Sequence, residues 1–172
     1  MEWRKLIKDE LEAVYPTTEK LMDMVDSDKL DWKPSNENNW MTVAQLLKHL
    51  SESCGAAFKG FVTGDWGFPE GFDPSTISPE EMMPPAEKMG KVESVEEAKK
   101  LLATDKQLAF DILAECSDDR LENEISKAFW DEAEPVLGYR LLEMVDHIKQ
   151  HKGQLFYYLK LIGKPVNTGD LW

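Results

Sequence analysis

The chain is poor in several residue types, and each shortage excludes something. It has two cysteines, Cys54 and Cys116, in 172 residues. That is too few for a disulfide framework, so both read as reduced packing residues. No apolar run is long enough to span a bilayer. The first residues, Met1-Glu2-Trp3-Arg4-Lys5, lead into a charged amphipathic stretch rather than the apolar stretch of a signal peptide. A cytoplasmic location is the expectation. Basic residues are outnumbered, 20 against 33 acidic, for a formal net charge of −13. A nucleic-acid partner draws its affinity from Lys and Arg on phosphates, and an anionic membrane surface is read in the same way. Neither partner is expected, and the acidity reads as solubility.

Histidine is the scarcest informative residue. There are three, and no others. His147 and His151 stand four apart in Asp146-His147-Ile148-Lys149-Gln150-His151, a spacing that puts both on one face of a helix. His49 lies in a different amphipathic segment, from which it could complete a three-nitrogen site. Three protein ligands leave coordination positions free, which separates catalytic from structural metal sites.

The remaining pattern reads as one all-α domain over 1–172, a four-helix bundle with a long crossover between the second and third helices. Leu6, Ile7, Leu11, Val14, Leu21, Met22 and Val25 predict a first helix over about 2–25, with a kink or short break at Pro16. Pro34-Ser35-Asn36 and Asn38-Asn39 mark a loop. Thr42 and Gln45 form a capping-box pattern that opens a second helix, expected to run to Thr63-Gly64. Residues 64–93 carry five prolines and read as a long functional loop, with one helical turn over 79–83. Ser94 and Glu97 open a third helix that ends near Cys116. Leu121 to Trp130 reads as irregular structure. A fourth helix runs from about Pro135 to Ile162 and is stopped by Gly163-Lys164-Pro165.

At about 100° per residue, His151 lies about 40° round from His147, beside the aliphatic arc of Leu141, Val145, Ile148, Leu155, Phe156 and Leu159. The pair therefore sits at the border of the core, where helices converge. His49, flanked by Leu46 and Leu50, occupies a similar border. Glu52 suits a fourth ligand, a hydrogen-bond partner of an imidazole, a general base or a solvated charge. Arg140 shares the histidine face, which suits a substrate carboxylate or a surface salt bridge. Gln154 suits orienting a ligand or substrate, or capping a polar edge. Trp40, Trp66 and Trp130 suit a pocket lining or packing between helices. Cys54 lies about 140° from His49 on its helix, which disfavours it as a ligand. Neutral imidazoles suit Zn, Ni, Cu or Fe.

Three stretches resemble the DinB/YfiT-like family of metal-dependent four-helix proteins. They are Leu30-Asp31-Trp32-Lys33-Pro34, the run from Trp40 to Leu50, and the run from His147 to Leu155 with Tyr158-Leu159 and Leu161-Ile162-Gly163-Lys164-Pro165-Val166 after it. The resemblance is weakest over 64–93 and 117–135. It implies a divalent ion, Ni or Zn, on His49, His147 and His151, and a homodimer. It also implies a small-molecule substrate, handled by thiol-dependent transfer or isomerisation with a low-molecular-weight thiol, or by hydrolysis. A non-catalytic stress-response module that binds a small molecule or partner is the alternative. The crowding of prolines in 64–93 departs from the family pattern and reshapes the expected substrate pocket.

Overall fold

The computed structural model describes residues 2–78, 81 and 84–172. The helical turn expected over 79–83 falls, apart from Glu81, outside the described residues. Among the described residues six helices carry the fold: α1 (Trp3–Met22), α2 (Val43–Leu50), α3 (Gly55–Thr63), α4 (Val95–Glu115), α5 (Asp118–Asn123) and α6 (Leu137–Leu161). Among the described residues there is no strand, and a single antiparallel bridge joins Ile125 to Val136.

The helices stack as four columns, with α2 and α3 sharing one of them. Helix α1 packs on α4 and α6, and so do α2 and α3 from the opposite side. Cross-contacts fix the directions. Val92 donates to Ala44, Ser51 to Ala98, and Gly55 to Asp105, so α4 runs parallel to the α2–α3 column. Tyr15 meets Asp105 and Asp23 meets Lys99, so α1 runs antiparallel to α4. Phe61 meets Arg140 and Met41 meets Tyr158, so α6 runs antiparallel to the α2–α3 column. The crossover over 64–94 carries the chain back along the whole bundle, as a parallel pair of neighbours requires.

Local signals explain most boundaries. The Thr42 hydroxyl accepts from Gln45 N, and the Gln45 side chain accepts from Thr42 N, the reciprocal pair that starts α2. Gln45 Nε2 also donates to Ala86 and Met89 carbonyls, which pins the end of the crossover. The amides of Val43 and Ala44 donate to Trp32 and Leu30 carbonyls, so the Leu30–Pro34 stretch satisfies the start of α2. Ser94 caps α4 through Glu97 N, while the Glu97 carboxylate accepts from Glu93 N, half of the box that the pattern suggests. Gly163 takes φ 86°, the left-handed stop that closes α6.

Three expectations are corrected. Helix α1 continues through Pro16, without a break, and ends at Met22 rather than Val25. Pro16 lies on the exposed side, and the Thr17 and Thr18 hydroxyls bond the Ala13 and Val14 carbonyls. Asp118–Asn123 forms a short helix capped by Ser117 rather than irregular chain. The second predicted helix is two helices, interrupted over 51–54. The cause is Asp105 on α4. Its carboxylate accepts from Gly55 N at 2.8 Å and from the Tyr15 hydroxyl at 2.7 Å, with further bonds from the Cys54 and Ala56 amides. It thereby caps α3 from another helix. A Cβ on Gly55 would stand 2.3 Å from the Asp105 carbonyl oxygen, so only glycine allows the approach.

Burial is the largest influence on Asp105 and pushes its carboxyl up to about 6, against the lowering effect of its hydrogen bonds. An unfolded aspartate protonates near pH 4. Between about pH 4 and 6 the folded chain therefore holds the extra proton, and this group's contribution falls as pH rises through the window. We expect Asp105→Asn, a neutral isostere whose one amide oxygen can still accept from the α3 amides, to gain stability relative to the parent chain as pH rises. The gain should be on the order of 3 kcal/mol between pH 4 and pH 7, since one pKa unit is about 1.4 kcal/mol. Urea unfolding of both proteins at the two pH values checks this, and a difference independent of pH refutes it.

Candidate metal centre

His49 sits in the last turn of α2, and His147 and His151 stand one turn apart on α6. All three rings are half-buried. The antiparallel packing of these helices brings the three Nε2 atoms together. The separations are 3.2 Å (His49–His147), 3.0 Å (His49–His151) and 2.9 Å (His147–His151). Nitrogens bound to one ion at about 2.0–2.1 Å stand roughly 2.9–3.4 Å apart, so the donor set has the spacing of a shared ion.

The partners of the rings show where the protons are. His151 Nδ1 lies 2.8 Å from Gln154 Oε1. An amide oxygen only accepts, so Nδ1 carries the hydrogen and Nε2 the lone pair. The His147 ring engages the Ser53 backbone in a bond that favours its protonated form, which makes the ring the donor there. Its Nε2, facing the other two histidines, is likewise a lone pair. Two lone pairs thus oppose each other, and the single Nε2 of His49 can donate to only one of them. Three mutual contacts of this length cannot all be hydrogen bonds. A cation shared among the nitrogens removes the conflict, so the residues present fit a metal ion. Burial, then the neighbouring rings, holds His49 down at about 4. The same two causes bring His147 to about 4, with Ser53 opposing them, and burial lowers His151. All three are neutral ligands near pH 7.

The structure brings Gln154 to the site, as a partner of His151. Glu52 is drawn off: its carboxylate meets Lys48 Nζ at 2.6 Å, and among the described residues the group of clustered ligand atoms is the three histidines. Arg140 is not with them. It is buried, and its guanidinium bonds Asp131 and Glu143 at 2.9 and 2.8 Å and the carbonyls of Ser126 and Ala133, while lying over the Phe61 ring. It forms buried ion pairs rather than a surface salt bridge, and it is not among the residues that line the openings at His49. Its bonds pin the 126–133 segment. Cys54 is fully buried, and burial pushes its thiol far up, which suits packing. Cys116 is buried as well.

Two openings meet at His49. One is a chamber of about 550 Å³, lined by His49, Ser53, Ala57, Phe68, Ile77, Glu81, Phe129, Trp130, Met144 and His147. The other is a cleft of about 350 Å³ whose lining includes Lys48, Glu52, Ser53 and Lys88. Trp130 therefore lines the chamber, Trp66 backs it at 5.4 Å from Trp130, and Trp40 belongs to neither opening. Phe68, Phe129 and Met144 are site residues that sequence reasoning missed. The first two come from loops with no periodic signal. Met144, three residues before His147 on α6, was visible as a same-face neighbour.

Comparison with known proteins follows from this geometry. The model of the DinB superfamily matches residues 10–155. A crystal structure of a DinB-like protein (YjoA) from Bacillus subtilis is similar to this chain with a TM-score of 0.64 at 19% identity, over 94% of each chain. No curated protein matches significantly. We expect Gln154→Leu to weaken divalent-metal affinity by about 10- to 100-fold, the usual effect of losing an outer partner of a ligating histidine. Competition against a chelating dye measures it, and unchanged affinity refutes the orienting role.

Proposed function

The chain belongs to the DinB superfamily, and we propose that it is a metal-dependent enzyme acting on a small molecule. The observation that carries this reading is the trio of Nε2 atoms at 2.9–3.2 Å, two of them opposed lone pairs, at the end of an open chamber. His49, His147 and His151 would hold one divalent ion, Ni or Zn, which three imidazoles suit. When bound, such an ion supplies Lewis acidity that acidifies a coordinated water or thiol.

The chain's own residues do the rest. Gln154 and the Ser53 backbone fix the tautomers of His151 and His147, so both present lone pairs to the same point. Met144 and Trp130 place apolar surface beside the histidines on the chamber side. Among the described residues, the carboxylates that line the two openings are engaged, Glu52 with Lys48 and Glu81 with Ser78, which disfavours them as a general base for hydrolysis. Thiol-dependent transfer or isomerisation needs no such base, so it is the reading we prefer. A low-molecular-weight thiol would enter from the cleft that carries Lys48 and Lys88. The engaged carboxylates also favour a second reading, a non-catalytic module that holds a small ligand at the same ion. Neither nucleic acid nor membrane is a partner in either reading. Among the described residues no helix is long and apolar enough to cross a membrane.

Elemental analysis of protein purified without a histidine tag should find close to one Ni or Zn per chain, and His147→Ala should lose it. Metal-free wild-type protein overturns the proposal. Turnover of thiol-transfer acceptors by the loaded protein separates the enzyme from the binding module. We also propose a homodimer, supported by the exposed Tyr157 and Leu161, four apart on α6. Light scattering at micromolar concentration should give twice the 19.7 kDa chain mass, and a monomer mass refutes it.

A further inference from the structure

The chamber beside the histidines has a composition that its neighbouring cleft lacks. Its walls are Ala57, Phe68, Ile77, Phe129, Trp130 and Met144, and among the described residues no Lys or Arg lines it. Besides the histidines, its polar members are Ser53 and Glu81. The Glu81 carboxylate accepts from the Ser78 hydroxyl and amide and adds negative charge at the rim. A carboxylate or phosphate held against these walls, away from the histidine end, would lose hydration and meet no Lys or Arg.

The walls are also built to hold a fixed shape. Phe129 stands edge-on to Trp130 at 4.7 Å, to Trp66 at 5.1 Å and to Phe68 at 5.6 Å. Phe61 meets Trp66 at 4.8 Å and Trp130 at 5.6 Å. Edge-to-face contacts of this kind interlock the rings. Buried Arg140 grips the loop that carries Phe129 and Trp130 on either side of those rings, at Ser126 and Ala133. The result is a preformed aromatic wall beside a polar, ligand-binding end. A volume of about 550 Å³ suits a small molecule.

We propose that the chamber selects a substrate with an uncharged aromatic or branched apolar body and a head group that binds the metal. This inference rests on the metal-site reading above and adds the substrate class to it. Charged, hydrophilic molecules are directed to the cleft on the other side of His49, where Lys48 and Lys88 stand. The chamber thereby takes the apolar reactant and the cleft the polar one.

Hydroxamates test this, because one metal-binding head can carry different bodies. Acetohydroxamate, benzohydroxamate and 4-carboxybenzohydroxamate are titrated into Ni-loaded protein, with binding read by calorimetry and by Trp fluorescence. Benzohydroxamate should bind at least about tenfold more tightly than acetohydroxamate, as burial of a phenyl ring predicts. The added carboxylate should remove about tenfold or more of that gain. Phe68→Ala, at the partly exposed end of the wall, should reduce the benzo/aceto ratio by about two- to tenfold without changing acetohydroxamate binding. Ala57→Leu, which fills the chamber, should do the same without removing a wall residue. Equal binding of the two uncharged compounds, or tight binding of the charged one, overturns the substrate class and leaves the metal site standing. Failure of acetohydroxamate itself to bind, or of the protein to load with Ni, overturns the metal-site reading and this one with it.

Discussion

The arrangement depends on one carboxylate capping a helix that is not its own. Asp105 reaches from α4 to the amides that open α3, and the Tyr15 hydroxyl from α1 completes its shell. The cap ends one helix and starts another within the second column. An uninterrupted helix would tie the Ser53 carbonyl to Ala57 N, four residues on. Here the first bond of α3 is Phe58 N to the Cys54 carbonyl, and the Ser53 backbone turns to the His147 ring instead. The same interruption leaves His49 in a terminal turn, facing α6. A buried acid in the core thus shapes the backbone that faces a candidate ligand on another helix.

The centre itself combines neutral ligands with an acidic surroundings. A chain of net charge −13 draws cations toward it over a Debye length, while the half-buried imidazoles stay neutral and keep their lone pairs. Attraction is therefore long-ranged and unspecific, and selection is local. At the candidate site it would be made by three nitrogens, two of them oriented by partners: Gln154 for His151 and the Ser53 backbone for His147. Buried Arg140 has the complementary task. Its charge is neutralised by Asp131 and Glu143, and its hydrogen bonds hold loop backbone in place rather than any ligand.

The parts of this legible in sequence were those encoded locally. The Thr42–Gln45 box, the Ser94 cap, the Gly163 stop and the apolar faces of the helices each involve residues within a turn or two of one another. The His147–His151 pair and its Gln154 neighbour are local in the same sense, so the histidine cluster and one of its partners could be read. The interruption at 51–54 could not, because Leu50, Ala57, Phe58 and Phe61 keep a helical period across it. Its local trace was the cluster Ser51-Glu52-Ser53-Cys54-Gly55, which is turn chemistry only when Asp105, 50 residues away, accepts its amides. Arg140 was misplaced for a related reason. A helical projection gives the direction of a side chain but not what waits there, and its partners lie in a loop without periodicity. Of the chamber walls, Trp130 and the Trp66 behind it could be named as candidates, while Phe68, Ile77 and Phe129 were beyond pattern reading on the same ground.

The parallel pairing of α2–α3 with α4 has a consequence for how the chain acquires its shape. The first helix is clasped by the last: Glu10 meets Lys149, and Thr17 meets Lys152. During synthesis the apolar face of α1 therefore waits for a segment made more than a hundred residues later, and that of α2 waits for the same segment. The distances in sequence that must be closed raise contact order and slow the final collapse. Nascent chains that lack α6 present uncovered apolar surface, the state in which chaperones and aggregation compete for a protein. Because His49 and its two partners meet only when that last helix docks, a loaded centre is also a record that the chain has finished folding.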